Sequence, residues 1–170
     1  MNEATLQRTG ERPILRFERH LVRPIADVWR AVTEPEQMKS WFPTRIEIDE
    51  WKVGARLTHH FDDHDIEPLP GEVVECDPPN RLAFTWGTDT IGFSLSPTAD
   101  GGTTFVLTEE LGASIAARNA AGWEVCLDRL VNGGDSGDWQ PRFDRYVAAF
   151  ESVLGPQEGP PEGYREQSSS

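Results

Sequence analysis

Alternation of apolar and polar positions sets in at Ile14 and holds to Val22. Leu15, Phe17, Arg19 and Leu21 share one side of a predicted strand, and Ile14, Arg16, Glu18, His20 and Val22 share the other. The period then lengthens from two to that of a helix. Over residues 24–43 (PIADVWRAVTEPEQMKSWFP), Ile25, Val28, Trp29 and Val32 recur at helical spacing, and Pro24 sits where a first-turn proline loses no hydrogen bond. A second, short helix is predicted from Thr33, Pro35 and Glu36, a T-x-x-E capping box with its first-turn proline. It carries Met38, Trp41 and Phe42 up to the stop at Pro43. Three large apolar side chains on so short a helix suggest a lid.

Alternation returns after Pro43 and persists for six segments. Residues 44–49 and 54–61 read as a hairpin, the latter with Ala55, Leu57, His59 and Phe61 on one face. Residues 71–76 and 81–86 flank Asp77, Pro78, Pro79 and Asn80, whose prolines cannot continue a ladder. Residues 90–96 and 103–111 flank a turn in which Asp100 and Gly101 supply the positive φ of a tight hairpin. Helical spacing closes the chain twice. Ala116, Ala120, Trp123, Leu127, Leu130 and Val131 form one stripe, ended at Gly133 and Gly134. Phe143, Tyr146, Val147, Phe150, Val153 and Leu154 form the other, ended at Gly155. The predicted fold class is therefore α+β: a seven-stranded curved antiparallel sheet with two short helices after its first strand, a long helix across the concave face, and one extra C-terminal helix.

The ends of the chain break both periods. Residues 1–12 and 155–170 are polar or rich in Pro, Gly, Glu and Ser, and read as disordered tails. They bracket one domain over 13–154. Sixteen basic against twenty-nine acidic residues give a net charge of −13. Such a field repels phosphate backbones and anionic bilayers, so neither nucleic acid nor membrane insertion is an expected role. Cys76 and Cys126 fall on a predicted strand and helix without C-x-x-C spacing and read as reduced thiols. With no signal-like apolar run, the expected location is the cytoplasm.

The β-αα-β6-α order resembles the helix-grip fold of START-like proteins. VRPIADVWRAVTEPEQMKSWF (22–42) is similar to the opening signature of one branch, and Gly122-Trp123-Glu124 with Leu127 and Leu130 is similar to its final-helix signature. That branch is the family named after the activator of the 90-kDa heat-shock chaperone's ATPase, within the START-like (SRPBCC) superfamily. The resemblance covers residues 14–131 and leaves the helix at 139–154 outside its core. It implies a hydrophobic cavity between sheet and long helix.

Candidate lining residues for that cavity follow from the alternation. They are Trp41 and Phe42 from the island; Leu57, His59 and Phe61; Val74, Leu82, Phe84 and Trp86; Phe93 and Leu95; Phe105 and Leu107; and Trp123 and Leu127 from the long helix. The same pattern is required of a core that simply close-packs. His59 lies between apolar neighbours, where a charge is costly; it could orient a ligand or move a proton, although a satisfied core histidine is the commoner role. Glu109 shares parity with Phe105, Leu107 and Leu111; an inward carboxyl would carry a raised pKa or a basic partner, although a sheet-end side chain reaching water is the favoured role. The H-H-F-D-D-H-D run at 59–65 is not read as a metal site, because His59 and His60 point to opposite faces. No nucleophile elbow, phosphate loop or dinucleotide fingerprint occurs, and no cofactor is expected.

The leading expectation is non-catalytic binding of an apolar small molecule: a lipid, polyketide or aromatic metabolite. The alternatives are a cyclase or dehydratase of the polyketide-cyclase type using His59 and Glu109 as acid and base, and a chaperone-associated regulator, as the family name suggests. Against the last stands the absence from this sequence of the eukaryotic activators' separate N-terminal domain. The apolar stripe of the final helix docks either on its own domain or on a second copy.

Overall fold

The alternating segments pair into one antiparallel ladder. In the computed structural model, which describes residues 3–8, 10–134 and 137–160, the strands are β1 (Thr5–Gln7), β2 (Ile14–Leu21), β3 (Arg45–Ile48), β4 (Arg56–His60), β5 (Leu69–Asp77), β6 (Arg81–Trp86), β7 (Asp89–Pro97) and β8 (Thr103–Glu110). Their order is β1-β2-β8-β7-β6-β5-β4-β3. The result is an α+β architecture with a large antiparallel sheet and helices, consistent with the expected helix grip. It has eight strands where alternation predicted seven. The extra strand, β1, is three residues long and falls in the segment read as a tail, where only Leu6 hints at burial. It pairs Leu6 with Leu15 across the ladder, and the backbone N–H of Ala4 donates to the Tyr146 hydroxyl at 2.9 Å.

The helices are α1 (Ile25–Thr33), α2 (Pro35–Met38), α3 (Ala116–Asn132) and α4 (Trp139–Leu154), with a single 3-10 turn before α3. α3 ends as predicted on Gly133, whose φ of 74° is the left-handed cap that glycine adopts without penalty. The capping box expected at α2 does not form. Thr33 remains in α1 and its hydroxyl donates back to the Trp29 carbonyl at 2.7 Å, so Glu34 becomes the N-cap. Trp41 and Phe42 consequently lie on the turn after α2 rather than on the helix.

Inward residues of β2, β4 and β5–β8 meet α1 and α3 in one core. Burial here is a consequence of strand parity: on β7, Asp89, Ile91, Phe93 and Leu95 all face in. α4 docks on α3 through Tyr146 and Phe150, both buried. Glu124, of the Gly122-Trp123-Glu124 motif, is the polar fastening. Its carboxylate accepts from Arg142 at 3.0 Å, Arg145 at 2.7 Å and the Tyr146 hydroxyl at 2.5 Å. The start of the segment read as a C-terminal tail also folds back. Gln157 accepts from the Ala117 N–H at 2.9 Å, and Ser114 donates to Glu158 at 2.7 Å. Its remainder, 161–170, lies outside the described residues. No helix among the described residues is long and apolar enough to cross a membrane.

Candidate functional site

The turn after α2 brings two aromatic side chains to one end of the sheet, and their roles differ. Trp41, 1% exposed, is bolted in place: its indole N–H donates to the Ala31 carbonyl of α1 at 2.8 Å, and its ring meets Phe93 at 5.8 Å and Phe105 at 6.2 Å. Phe42, 6% exposed, has no polar side-chain atom to tie it and packs among rings. It lies 5.5 Å from Trp123, 5.9 Å from Trp86 and 6.0 Å from Phe84, and edge-on to Trp41 at 5.4 Å. The space expected as a cavity between sheet and α3 is thus filled by rings. Leu57, Leu82, Phe84, Phe93, Leu95, Phe105, Leu107 and Leu127 are all buried in the same core.

Outside this cluster the surface is hollow. A pocket of about 320 Å³ is bounded by Lys39, Phe42, Thr44, Arg45, His60 and Phe61, among others. Phe42 is therefore at once a wall of the pocket and a member of the buried cluster. Phe61, half-buried just past the end of β4, stands edge-on to Trp86 at 5.7 Å and forms part of the rim. One expected lining residue lies elsewhere. Val74 is 46% exposed, because an irregularity in the β5–β6 register between Val73 and Glu75 turns Val73 inward in its place.

His59 is fully buried behind Phe42. Its ring stacks on Trp86 at 4.5 Å and lies nearly parallel to Phe42 at 6.4 Å. Both ring nitrogens are occupied. Nε2 is 3.1 Å from the Thr85 carbonyl, and Nδ1 is 3.1 Å from the Thr44 hydroxyl. A carbonyl can only accept, so Nε2 carries the hydrogen; Nδ1 of the neutral ring is then an acceptor and Thr44 the donor. Burial drives the His59 pKa from 6.5 down to about 4, chiefly by desolvation of the charged form, so the ring is neutral at pH 7. The reach across to Thr85 depends on Gly71, where a Cβ would fall 2.3 Å from the Thr85 carbonyl oxygen and 3.2 Å from His59 Nε2. His60 points the other way, to Glu47 at 3.0 Å.

Glu109 is 2% exposed and faces inward with Phe105 and Leu107, against the favoured expectation of a sheet-end side chain reaching water. Its oxygens accept from the Trp123 indole N–H at 2.9 Å and from Asn119 at 3.2 Å. It also shares a hydrogen bond with Asp89, which requires a proton between the two carboxyls. Desolvation first and the charge of Asp89 second hold the Glu109 pKa well above the carboxylate range. Asp89 in turn pairs with Arg12 at 2.9 Å.

Asp89 sits opposite Trp86 in the β6–β7 register, and Trp86 meets Trp123 at 6.4 Å. His59 and Glu109 are accordingly the two ends of one polar and aromatic band, joined through two tryptophans. Thr44, Gly71, Asp89 and Arg12 were not singled out from the sequence. Parity with Ile46 on β3 and with Ile91 on β7 signals Thr44 and Asp89; Gly71 and Arg12 left no periodic trace. Chemically, acid–base work by His59 would first require breaking its bond to Thr44 or Thr85.

Residues 23–132 match the family described as activator of Hsp90 ATPase homolog 1-like protein. No curated protein matches. Among solved structures, a conserved protein of unknown function from Enterococcus faecalis superposes with a TM-score of 0.77 at 22% identity, covering 88% of this chain and 91% of its own. CalU16 from Micromonospora echinospora gives a TM-score of 0.66 at 20% identity, covering 89% and 94%. DynU16, from the dynemicin biosynthetic locus, gives 0.55 at 26% identity, covering 79% of this chain and 47% of its own.

Proposed function

Since the chain belongs to the family of activator of Hsp90 ATPase homolog 1-like proteins, within the START-like superfamily, we propose that it binds a planar, apolar small molecule non-catalytically at the aromatic cluster between sheet and α3, with Phe42 as the movable wall. The observation that carries this reading is the double position of Phe42. It lines a 320 Å³ surface pocket and packs against the rings of Trp86, Trp123 and His59. Its backbone lies on a short turn, with the Phe42 N–H donating to the Met38 carbonyl at 2.8 Å. Swinging the ring outward would join pocket and cluster into one stacking site, the mostly apolar concavity that small-molecule sites use. Trp41 would stay, tied to Ala31.

A likeness to a protein from a biosynthetic locus suits a metabolite as the ligand, and the two free thiols suit the cytoplasm as the place of action. The occupied nitrogens of His59 favour binding over turnover.

Calorimetric titration with 2-methoxynaphthalene tests the proposal. Wild type should bind one equivalent, and Phe42→Ala should bind about tenfold tighter, because affinity no longer carries the cost of populating the open form. Absence of heat from both proteins would overturn it.

A further inference from the structure

The polar wall behind Phe42 is built from Thr44, His59, Gly71 and Thr85. Three features fix that wall. Gly71 leaves the space through which His59 reaches the Thr85 carbonyl. That carbonyl accepts from Nε2–H at 3.1 Å and so locks the tautomer. The remaining nitrogen, Nδ1, is left as a pure acceptor in a site walled by Phe42, Phe84 and Trp86. Thr44, which lines the surface pocket and is itself buried, satisfies it with a hydroxyl at 3.1 Å.

Resting on the binding function proposed above, we infer that Thr44 and His59 form a specificity-determining pair that selects hydroxylated aromatic ligands, a phenol O–H replacing the Thr44 hydroxyl as donor to His59 Nδ1. The exchange conserves hydrogen bonds: one O–H leaves Nδ1 and another arrives, while the freed Thr44 hydroxyl turns toward the pocket and its water. A ligand carrying an ether oxygen at the same place brings only an acceptor. It would face the Nδ1 lone pair, leaving one buried acceptor unsatisfied or one polar atom without a partner. Buried groups so stranded account for the large discrimination that polar sites achieve between a hydroxyl and its absence. A carboxylate fares worse, since it brings negative charge as well as acceptors into a desolvated aromatic site. Shape and stacking thus admit a planar ring, and the locked imidazole chooses among planar rings.

The test uses three probes of one shape: 2-naphthol, 2-methoxynaphthalene and 2-naphthoate. They are titrated into the full-length wild type, Thr44→Val, Thr44→Ser and His59→Phe. Wild type should prefer 2-naphthol over 2-methoxynaphthalene by about tenfold and bind 2-naphthoate least. Thr44→Val, nearly isosteric, removes the competing hydroxyl and should tighten 2-naphthol several-fold without moving 2-methoxynaphthalene. Thr44→Ser should restore the wild-type ratio. His59→Phe should abolish the preference, and a packing role alone would not move that ratio. Equal binding of 2-naphthol and 2-methoxynaphthalene by wild type, unchanged in Thr44→Val, would overturn the inference and leave the binding function standing. Binding of none of the three would remove both.

Discussion

His59 and Glu109 are buried on the same face of the sheet at the same end, and the fold treats them in opposite ways. Each is neutral because burial penalises its charged form. For His59 neutrality means a lost proton; for Glu109 it means a retained one. His59 is met by one hydroxyl and one backbone carbonyl, beside a surface pocket. Glu109 is met by a second carboxyl and by two side chains of α3, and so serves as a hinge-pin between helix and sheet. On the binding function proposed above, the comparison sets a site beside a fastening built from the same physics. On that reading a single hydroxyl at a pocket wall is exchangeable for a ligand's, whereas donors from a packed helix cannot be exchanged without moving the helix.

The largest effect that would break this contrast is truncation of the fastening. Glu109→Ala strands the Trp123 indole N–H and the Asn119 amide and leaves a void, and should cost about 4 kcal/mol in denaturant unfolding. A loss under 1 kcal/mol would show that Glu109 fastens nothing.

Next in size is a pair of pH effects with opposite signs. Between pH 6.5 and about 4 the unfolded chain protonates His59 and the folded chain does not, so stability present above pH 6.5 is lost on acidification. The full shift corresponds to about 3 kcal/mol, and His59→Phe should be free of that loss. Glu109 runs the other way. The folded chain keeps a proton that the unfolded chain releases near pH 4.5, so wild type should lose stability relative to Glu109→Gln as pH rises from 4.5 through the elevated folded value. Unfolding free energies of the three proteins across pH 4 to 9, measured at pH intervals of about one unit, would show the two limbs separately. Parallel curves would contradict the assignment of either neutral form.

A smaller effect sharpens the His59 side. Gly71→Ala places a methyl 2.3 Å from the Thr85 carbonyl oxygen, so strand β5 must shift and the Nε2 bond lengthen, at about 2 kcal/mol. The His59 ring resonances in NMR should report the altered tautomer balance. An unchanged spectrum would mean that Gly71 is not what permits the lock.

Much of this site was legible in the amino-acid pattern, and the reasons differ by residue. Period-two parity put His59 inside because a strand's faces alternate until the ladder is disturbed; it gave Glu109 the parity of Phe105 and Leu107, but a place at the sheet end favoured water, and only α3 lying over that end buries it. Parity failed at Val74, where the β5 irregularity exchanged it for Val73. The helices at 116–132 and 139–154 were readable because their stripes are long and end in glycine. Strand β1 was not, since three residues hold too little pattern to stand out from a polar segment. Arg12 was missed for a different reason: its role depends on where the N-terminal segment crosses the β6–β7 hairpin, a long-range fact. The separation of Trp41 from Phe42 also escaped the sequence. Both looked like lid residues, and only the bond to Ala31 distinguishes the bolt from the movable wall.

The movable wall is the central claim, and 19F NMR of protein carrying 4-fluorophenylalanine at position 42 tests it most directly. Titration with 2-naphthol should replace the resonance of a buried ring with that of a solvent-exposed one, in proportion to occupancy. A resonance that stays at its starting shift while the probe binds, or a probe that does not bind at all, would contradict the account.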